Sequence, residues 1–323
     1  MNLIPACVRY LALLGTALWL AGCVPGGDSP AAEQQVAQQG VYSARFSNDG
    51  RWLMVGSIHH GGSLWSLWPG ERHFDWNHAE GARTSIVASA FSADDRYVAT
   101  ADNRTIVLWQ RDTGEAYWLW NAPGDILDIE LTTTGQFAAL AMQDYTATLF
   151  DIRNGGIYQR LQHDGSVLDV ALDRDDRLLA SGSDDLTARI WQVNTGKELL
   201  RLKHGNQVRT VELSDDGRWL FTSALRETGK IWDSSSGRQL VELPKPAGFY
   251  SAARFSSSGA QLLTGSSDGI VSLWKSTDGS LQRQWRLESA FGWNQPRVLV
   301  EDVVFGSNAW FAIGTNGKLY QLK

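Results

Sequence analysis

The sequence predicts an all-β protein, a seven-bladed β-propeller built of four-stranded antiparallel blades. The first observation is the stretch 167–202, where four short runs of strand-forming residues are separated by polar turns. The second observation is that this pattern recurs about every 40–45 residues. One small sheet cannot bury its own faces in water, so the copies are expected to pack against one another.

Seven copies emerge when the first strand of each unit is aligned. Every first strand has apolar or small residues at its first, fourth and sixth positions, and successive starts are 45, 40, 41, 41, 42 and 50 residues apart. The first strands are predicted at 41–46, 86–91, 126–131, 167–172, 208–213, 250–255 and 300–305. This period and strand count are typical of propeller blades.

Two single positions repeat along with the strands. Four residues after each of the first six first strands comes a turn residue: Gly50, Asp95, Gly135, Asp176, Gly217 and Gly259. Near the end of each third strand comes an aromatic residue: Trp65, Trp109, Phe150, Trp191, Trp232, Trp274 and, in the shorter last copy, Tyr320. Fifteen tryptophans also suit a sugar- or quinone-binding surface, but we expect this repeated series to pack one blade on the next. Trp118 and Trp120 lie on one side of an outer strand, which predicts that this side is buried.

The units resemble WD repeats from about residue 34 onward. The Trp-Asp pair of the repeat is intact only at Trp232-Asp233. The resemblance implies a hydrogen-bonded tetrad of His, Ser or Thr, Asp and Trp within a blade, best matched by His163, Ser181, Asp185 and Trp191. His204 occupies the histidine place of the next copy. Arg226 replaces the acid there, so that tetrad is expected to be broken.

Residues 1–22 have the pattern of a bacterial lipoprotein signal peptide. Arg9 precedes an apolar run from Tyr10 to Leu20, and Leu-Ala-Gly-Cys follows. The run of about eleven residues is far shorter than the roughly 20 that a spanning helix needs. We therefore expect Cys23 to be lipidated, and an ordinary secretory signal with an incidental cysteine is the alternative. Because Val24 follows the cysteine, the lipoprotein sorting rule points to the outer membrane, with the protein facing the periplasm.

The predicted domains are the signal (1–22), a lipidated cysteine with a flexible tether (23–33) and the propeller (34–323). The only other cysteine, Cys7, lies in the signal, so the propeller has none for a disulfide. The net charge of −6 argues against a nucleic-acid partner. We expect the lipid, not electrostatic attraction, to attach the protein to the membrane. We expect a monomeric propeller.

Glu33–Gln39 precedes the first copy, and its polar residues suit a helix or an exposed edge strand. We favour the strand, because the chain ends after the third strand of the last copy. The prediction is that 34–39 pairs with 318–322 and supplies the missing outer strand of the last blade.

No motif in the sequence makes a convincing catalytic or metal site. His59-His60 adjoin in a turn, where neighbours point in different directions, so a solvated turn is favoured over metal ligation. The acids at 173–176 and 184–185 lack the glycine-bounded loop of a calcium site. Gly265–Gly269 matches Gly-x-Ser-x-Gly but spans a strand and a hairpin turn, not a strand–helix junction. We expect no cofactor, no metal and no enzymatic activity.

Partner binding is expected at the start of the first strands, where WD-repeat domains place their contact loops. The candidates are Tyr42, Asp128, Asp169, Arg209, Phe249, Tyr250 and Glu301. The insertion 287–299 adds Phe291 and Trp293, which either contact a partner or fold onto the blade edge.

Three functions remain open on the sequence. The favoured one is a scaffold that binds other envelope proteins. The first alternative is a propeller enzyme or small-ligand binder that uses the mouth of the central channel, with Asp128, Asp169 and Glu301 as its only hint. The second is a purely structural envelope component. Fold alone does not decide between them.

Overall fold

The computed structural model describes residues 27–57, 60–67, 70–79, 81, 84–287 and 298–323. These residues form 28 β-strands in seven four-stranded antiparallel sheets. The predicted seven-bladed propeller is therefore confirmed. Within the described ranges, no helix has the length and apolar composition needed to cross a membrane.

The first three blades run in chain order from the channel outward. Blade 1 is β2 (Val41–Phe46), β3 (Trp52–Ser57), β4 (Gly61–Ser66) and β5 (Glu71–Trp76). Blade 2 is β6 (Ala88–Phe91), β7 (Tyr97–Ala101), β8 (Thr105–Gln110) and β9 (Ala116–Asn121). Blade 3 is β10 (Ile126–Leu131), β11 (Phe137–Met142), β12 (Thr146–Asp151) and β13 (Gly156–Gln162).

The remaining blades follow the same order, and the last recruits the first strand of the chain. Blade 4 is β14 (Val167–Leu172), β15 (Leu178–Ser183), β16 (Thr187–Gln192) and β17 (Lys197–Lys203). Blade 5 is β18 (Val208–Leu213), β19 (Trp219–Ala224), β20 (Gly229–Asp233) and β21 (Gln239–Leu243). Blade 6 is β22 (Tyr250–Phe255), β23 (Gln261–Ser266), β24 (Ile270–Lys275) and β25 (Leu281–Arg286). Blade 7 is β26 (Val300–Phe305), β27 (Trp310–Gly314), β28 (Lys318–Leu322) and β1 (Ala32–Gln35).

Six of the seven predicted inner strands have the predicted bounds, whereas the second begins at Ala88 instead of Ile86. The repeated turn residue adopts the left-handed conformation in all six copies where it was predicted, with φ between 55° and 68°. Asp95 and Asp176 tolerate this conformation, as short polar side chains do. Their carboxylates also accept backbone N–H groups from the preceding blade, Asn48 and Asp49 for Asp95 and Thr133 for Asp176.

The hydrophobic core lies between the blades. It consists of seven clusters, each drawing buried side chains from two adjacent blades. The repeated third-strand aromatic packs toward the preceding blade, and Trp109, Phe150, Trp191, Trp232 and Trp274 are all buried there. Trp118 and Trp120 are half-buried and stack on Phe150, so their side of β9 is packed as predicted.

One member of the predicted aromatic series is wrong. Each aromatic of the series pairs with the second-strand residue that faces the last residue of the inner strand, as Trp191 does through Leu179 and Leu172. In blade 7 this line runs from Phe305 through Trp310 to Leu322, whereas Tyr320 pairs with Ala312. The first turn of this blade (306–309) is two residues shorter than the first turn of blade 4 (173–178), which shifts the alignment. Leu322 thus replaces the aromatic residue where blade 7 meets blade 6.

The ring closes through the N-terminal segment, as predicted, but with different bounds. The antiparallel pairs run from Ala32–Gln321 to Gln35–Lys318, so the strand is Ala32–Gln35 and not 34–39. Gln34 also joins blade 1, because its side chain donates to the Gly70 carbonyl and accepts the Gly70 N–H. A polar strand without an alternating apolar pattern carries no signal for its own register.

The described end of the predicted tether is also held by the propeller. Asp28 forms a parallel bridge with Trp285, donating its N–H to Gln284 and accepting the N–H of Arg286. Ala32 and Glu33 already belong to β1. Residues 28–33 of the predicted tether thus pair with the propeller, and the domain boundaries stay a prediction.

Removal of β1 is expected to destabilise the ring. A chain that begins at Val36 lacks the four residue pairs with β28 and both Gln34 bonds. At about 1 kcal/mol per hydrogen bond, the loss amounts to several kcal/mol, or a fall of roughly 10 °C in Tm. Thermal denaturation measures it, with a chain that begins at Gly27 as the control. Equal Tm values for the two chains would contradict the assigned closure.

Candidate functional site

The face of the ring where the inner strands begin is called the top face. In each antiparallel blade the start of the inner strand lies beside the end of the second strand. The top face therefore carries the first residues of the inner strands, the turns between second and third strands, and the loops that enter each blade. Six inner strands have a β-bulge between their first and third residues. Such a bulge re-aims the side chain of the extra residue, here the second of the strand.

The third residue of five inner strands bonds to the next blade. Asp128 accepts the Val170 N–H at 3.2 Å, and Asp169 accepts the Val211 N–H at 2.7 Å. Ser43, Thr210 and Asp302 make the same kind of bridge, to the Ile86 carbonyl, the Tyr250 carbonyl and the Phe46 N–H. Asp128 and Asp169 were predicted to bind a partner. Their carboxylates also hold neighbouring blades together, which gives both residues a structural role, and their contact with a partner stays a prediction.

Below these bridges the channel holds a network of charges. Arg45 pairs with Glu130 at 2.5 Å, and Arg254 lies 3.8 Å from both Glu212 and Asp302. Carboxyl groups outnumber the two arginines in this network. Burial raises the pKa of Glu130, and it raises the pKa of Glu212 to about 8. The nearby arginines oppose both shifts. Burial and the nearby Asp128 carboxylate raise the pKa of Asp169 as well.

Two spaces at the bottom mouth of the channel measure about 40 and 130 Å³, compared with roughly 300–1,000 Å³ for typical ligand pockets. Among the residues that the structure describes, no group of three or more His, Cys, Asp or Glu is placed to hold a metal ion.

The other predicted contact residues differ in accessibility. Tyr42 and Arg209 are exposed at bulge positions, and Phe249 and Glu301 are half-buried. Tyr250 is buried, and its hydroxyl donates to the Pro244 carbonyl at 2.7 Å, so little of this predicted contact residue is accessible to a partner. Three predicted residues, Cys23, Phe291 and Trp293, lie outside the described ranges.

Two further top-face residues were missed by the sequence argument. Tyr145 and Leu186 occupy the turns between second and third strands of blades 3 and 4, with φ of 72° and 67°. Both side chains are exposed, by 50% and 42%. In blades 6 and 7, Gly269 and Gly317 hold the left-handed conformation in this turn. A bulky residue there costs about 1–2 kcal/mol, and little burial offsets it. The comparison with the glycines of the other copies is the signal that could have revealed them.

Blade 4 brings its four tetrad residues together. His163 lies 2.9 Å from Asp185 through Nδ1 and 2.7 Å from the Ser181 hydroxyl through Nε2. The indole N–H of Trp191 donates to the same hydroxyl at 2.8 Å. The chain of contacts ties the loop that enters the blade to its second and third strands. Burial lowers the pKa of His163, against the opposing effect of Asp185.

Blade 2 has a similar set that the sequence did not reveal, although the buried Nδ1 of His78 has no hydrogen-bond partner there. His78 lies 2.9 Å from Thr100 and 3.3 Å from Asp102, and Trp109 donates to Thr100 at 2.8 Å. The second turn of this blade is one residue shorter than in blade 4, which puts Asp102 out of the expected spacing.

In blade 5 the set is interrupted at a different place from the one predicted. Glu227, one residue after Arg226, supplies the acid and lies 3.2 Å from His204. Trp232 donates to Thr222 at 2.7 Å. The Nε2 atom of His204 is buried and has no hydrogen-bond partner, so the gap lies between His204 and Thr222.

The tetrads predict different effects of two matched substitutions. Ser181→Ala leaves both the Trp191 N–H and the His163 ring nitrogen without a partner, whereas Thr222→Val leaves only the Trp232 N–H. Each unsatisfied buried group costs about 1–3 kcal/mol. We expect Ser181→Ala to destabilise by about 2–5 kcal/mol and Thr222→Val by less, as measured by denaturant unfolding. A larger loss for Thr222→Val would contradict the tetrad energetics.

Glu301 predicts a pH-dependent stability. Burial, with a smaller contribution from Asp302, raises its pKa to about 8. The folded state thus retains a proton that the unfolded state loses near a pKa of about 4.3, and stability falls as the pH rises through this interval. Glu301→Gln removes the ionisation. We expect it to raise Tm at about pH 9 and to leave it unchanged near pH 3, below both pKa values. Exposed Glu71→Gln is the control, and a pH-independent effect of Glu301→Gln would contradict the prediction.

The comparison with known families agrees with this arrangement of strands and tetrads. Four stretches, residues 77–110, 156–192, 196–233 and 238–275, match the family model described as WD domain, G-beta repeat. Each stretch ends with the third strand of a blade, and those four blades are the ones in which a tryptophan donates to Ser or Thr of the second strand. No curated protein sequence matches the chain significantly. The protein is thus a seven-bladed β-propeller that carries WD repeats in blades 2, 4, 5 and 6.

Proposed function

We propose that this protein is a lipid-anchored scaffold that binds other envelope proteins through its top face. Propellers with WD repeats are commonly protein-interaction scaffolds. In this proposal Cys23 carries the lipid and the propeller faces the periplasm from the outer membrane. The support for the anchor is the sequence of residues 1–23.

The observation that carries the proposal is that Tyr145 and Leu186 are exposed to solvent in a strained, left-handed backbone conformation. A residue held in a costly backbone conformation persists where the surrounding structure enforces it, and such residues cluster at functional sites. Blades 3 and 4 also place Leu127 and Leu168 at their bulges, the former exposed and the latter half-buried. We name these four residues the blade 3–4 patch. It presents apolar groups to solvent, which suits contact with a protein surface.

The proposal is tested by crosslinking and capture from intact envelopes. The lipidated protein is expected to recover a stoichiometric set of envelope proteins, and Cys23→Ser to release it from the membrane fraction. Recovery of the protein alone, under conditions that preserve other envelope complexes, would refute the scaffold. Membrane retention of Cys23→Ser would refute the anchor separately.

The patch predicts a variant that gains stability while it loses binding. Tyr145→Gly and Leu186→Gly relieve the left-handed strain, as Gly269 and Gly317 do in blades 6 and 7. We expect the double variant to be more stable by about 1 kcal/mol or more and to recover several-fold less partner. Thermal denaturation and quantitative capture measure the two effects.

A rim variant provides the matched control for the patch. Tyr117→Thr with Leu119→Thr removes the same two residue types from β9, where both are exposed. It is expected to retain partner capture. Loss of capture in the rim variant, with the patch variant unaffected, would move the contact surface from the top face to the rim.

A further inference from the structure

A pocket lies where blade 7 meets blade 1. This pocket, of about 630 Å³, opens between the segment 35–39 and strands β3, β4 and β5. Its walls include Trp65, Arg72, Asp75, Gln39, His60 and Asn77. The volume falls in the range of small-molecule sites, roughly 300–1,000 Å³. The pocket is distinct from the blade 3–4 patch and from the channel.

Blade 1 also lacks the tetrad residues that blades 2 and 4 have at the equivalent place. In blades 4 and 5 the tetrad histidine stands edge-on to the tryptophan, with ring centroids 5.8 and 5.9 Å apart. The loop that enters blade 1 is Val36–Gly40 and contains no histidine. The place of the second-strand hydroxyl, two residues beyond the partner of the tryptophan, is taken by Val55.

Trp65 is consequently available to a ligand. Its indole N–H donates to Ser63 on its own strand at 2.8 Å. The side chain is half-buried, whereas the tryptophans of this series in blades 2, 4, 5 and 6 are buried. An indole ring that is packed on one side and accessible on the other offers a flat apolar platform.

The polar groups around this platform favour an uncharged ligand. Arg72 lies over the Trp65 ring, 5.9 Å from its centroid, and forms an ion pair with Asp75. This pair balances the charges of the pocket wall. The remaining polar groups are amides and hydroxyls, together with His60, whose Nε2 lies 3.0 Å from the Gln39 side chain. Amides and hydroxyls both donate and accept hydrogen bonds.

We propose that this pocket binds a neutral saccharide. A sugar ring combines an apolar C–H face, which fits the Trp65 platform, with hydroxyls that both donate and accept. An ionic ligand would have to compete with the Arg72–Asp75 pair. A wholly apolar ligand would leave the amides and the ion pair of the wall without water or partner.

The test measures binding of two neutral trisaccharides, chitotriose and maltotriose, by saturation-transfer NMR and titration calorimetry. The wild-type protein is expected to bind at least one of them at millimolar concentration or below. Trp65→Leu is expected to weaken that binding about tenfold, equivalent to 1.4 kcal/mol. Arg72→Gln, which leaves Asp75 unpaired, is expected to weaken it less.

Trp52→Leu is the matched control. Trp52 is half-buried in the same blade, has Arg111 over its ring at 5.5 Å, and lines a different cavity of about 640 Å³. It is expected to retain trisaccharide binding. Absence of binding to both trisaccharides, or equal weakening by Trp65→Leu and Trp52→Leu, would overturn the proposal. Folding of each variant is checked by its Tm, and neither outcome bears on capture of envelope proteins.

Discussion

The packing between blades is the constraint on which the whole molecule depends. Each of the seven hydrophobic clusters takes its side chains from two adjacent blades, so no blade buries its apolar faces alone. The ring must therefore close, and β1 closes it against β28. Polar bridges follow the same logic, because Asp128 and Asp169 satisfy backbone groups of the next blade at the channel wall. These contacts fix the position of each top-face turn.

The features that repeat could be predicted from the sequence, and the misses fall where the repeat changes length. Inner strands and left-handed turns recur at near-constant spacing, so a single alignment finds them. A first turn shortened by two residues placed Tyr320, instead of Leu322, in the predicted series of blade 7. A turn shortened by one residue hid Asp102 as the partner of His78. The spacing of a motif identifies its members only when the intervening turn keeps its length.

The candidate site was less predictable because its contacts are not local. The position of Asp169 in the sequence predicts an acid at the channel mouth. In the structure its carboxylate accepts the N–H of Val211 in the next blade. Nothing in the strand itself distinguishes this bond from solvent exposure. The bulges have the same effect, since they reverse the expected alternation at the second and third residues. The sequence therefore groups these residues at one end of the ring, but it does not separate the structural residues from the accessible ones.

The two proposed sites reflect two opposite departures from the repeat. In blades 3 and 4 the packing between blades is complete, and Trp191 is buried with its full tetrad. A rigid support of this kind can hold Tyr145 and Leu186 in a strained conformation, because the turn cannot relax without disturbing the bonds of the blade. Where blade 7 meets blade 1, Val55 takes the place of the second-strand hydroxyl, and Trp65 remains partly accessible. Complete packing between blades 3 and 4 thus supports the exposed Tyr145 and Leu186, whereas incomplete packing beside Trp65 leaves the pocket open.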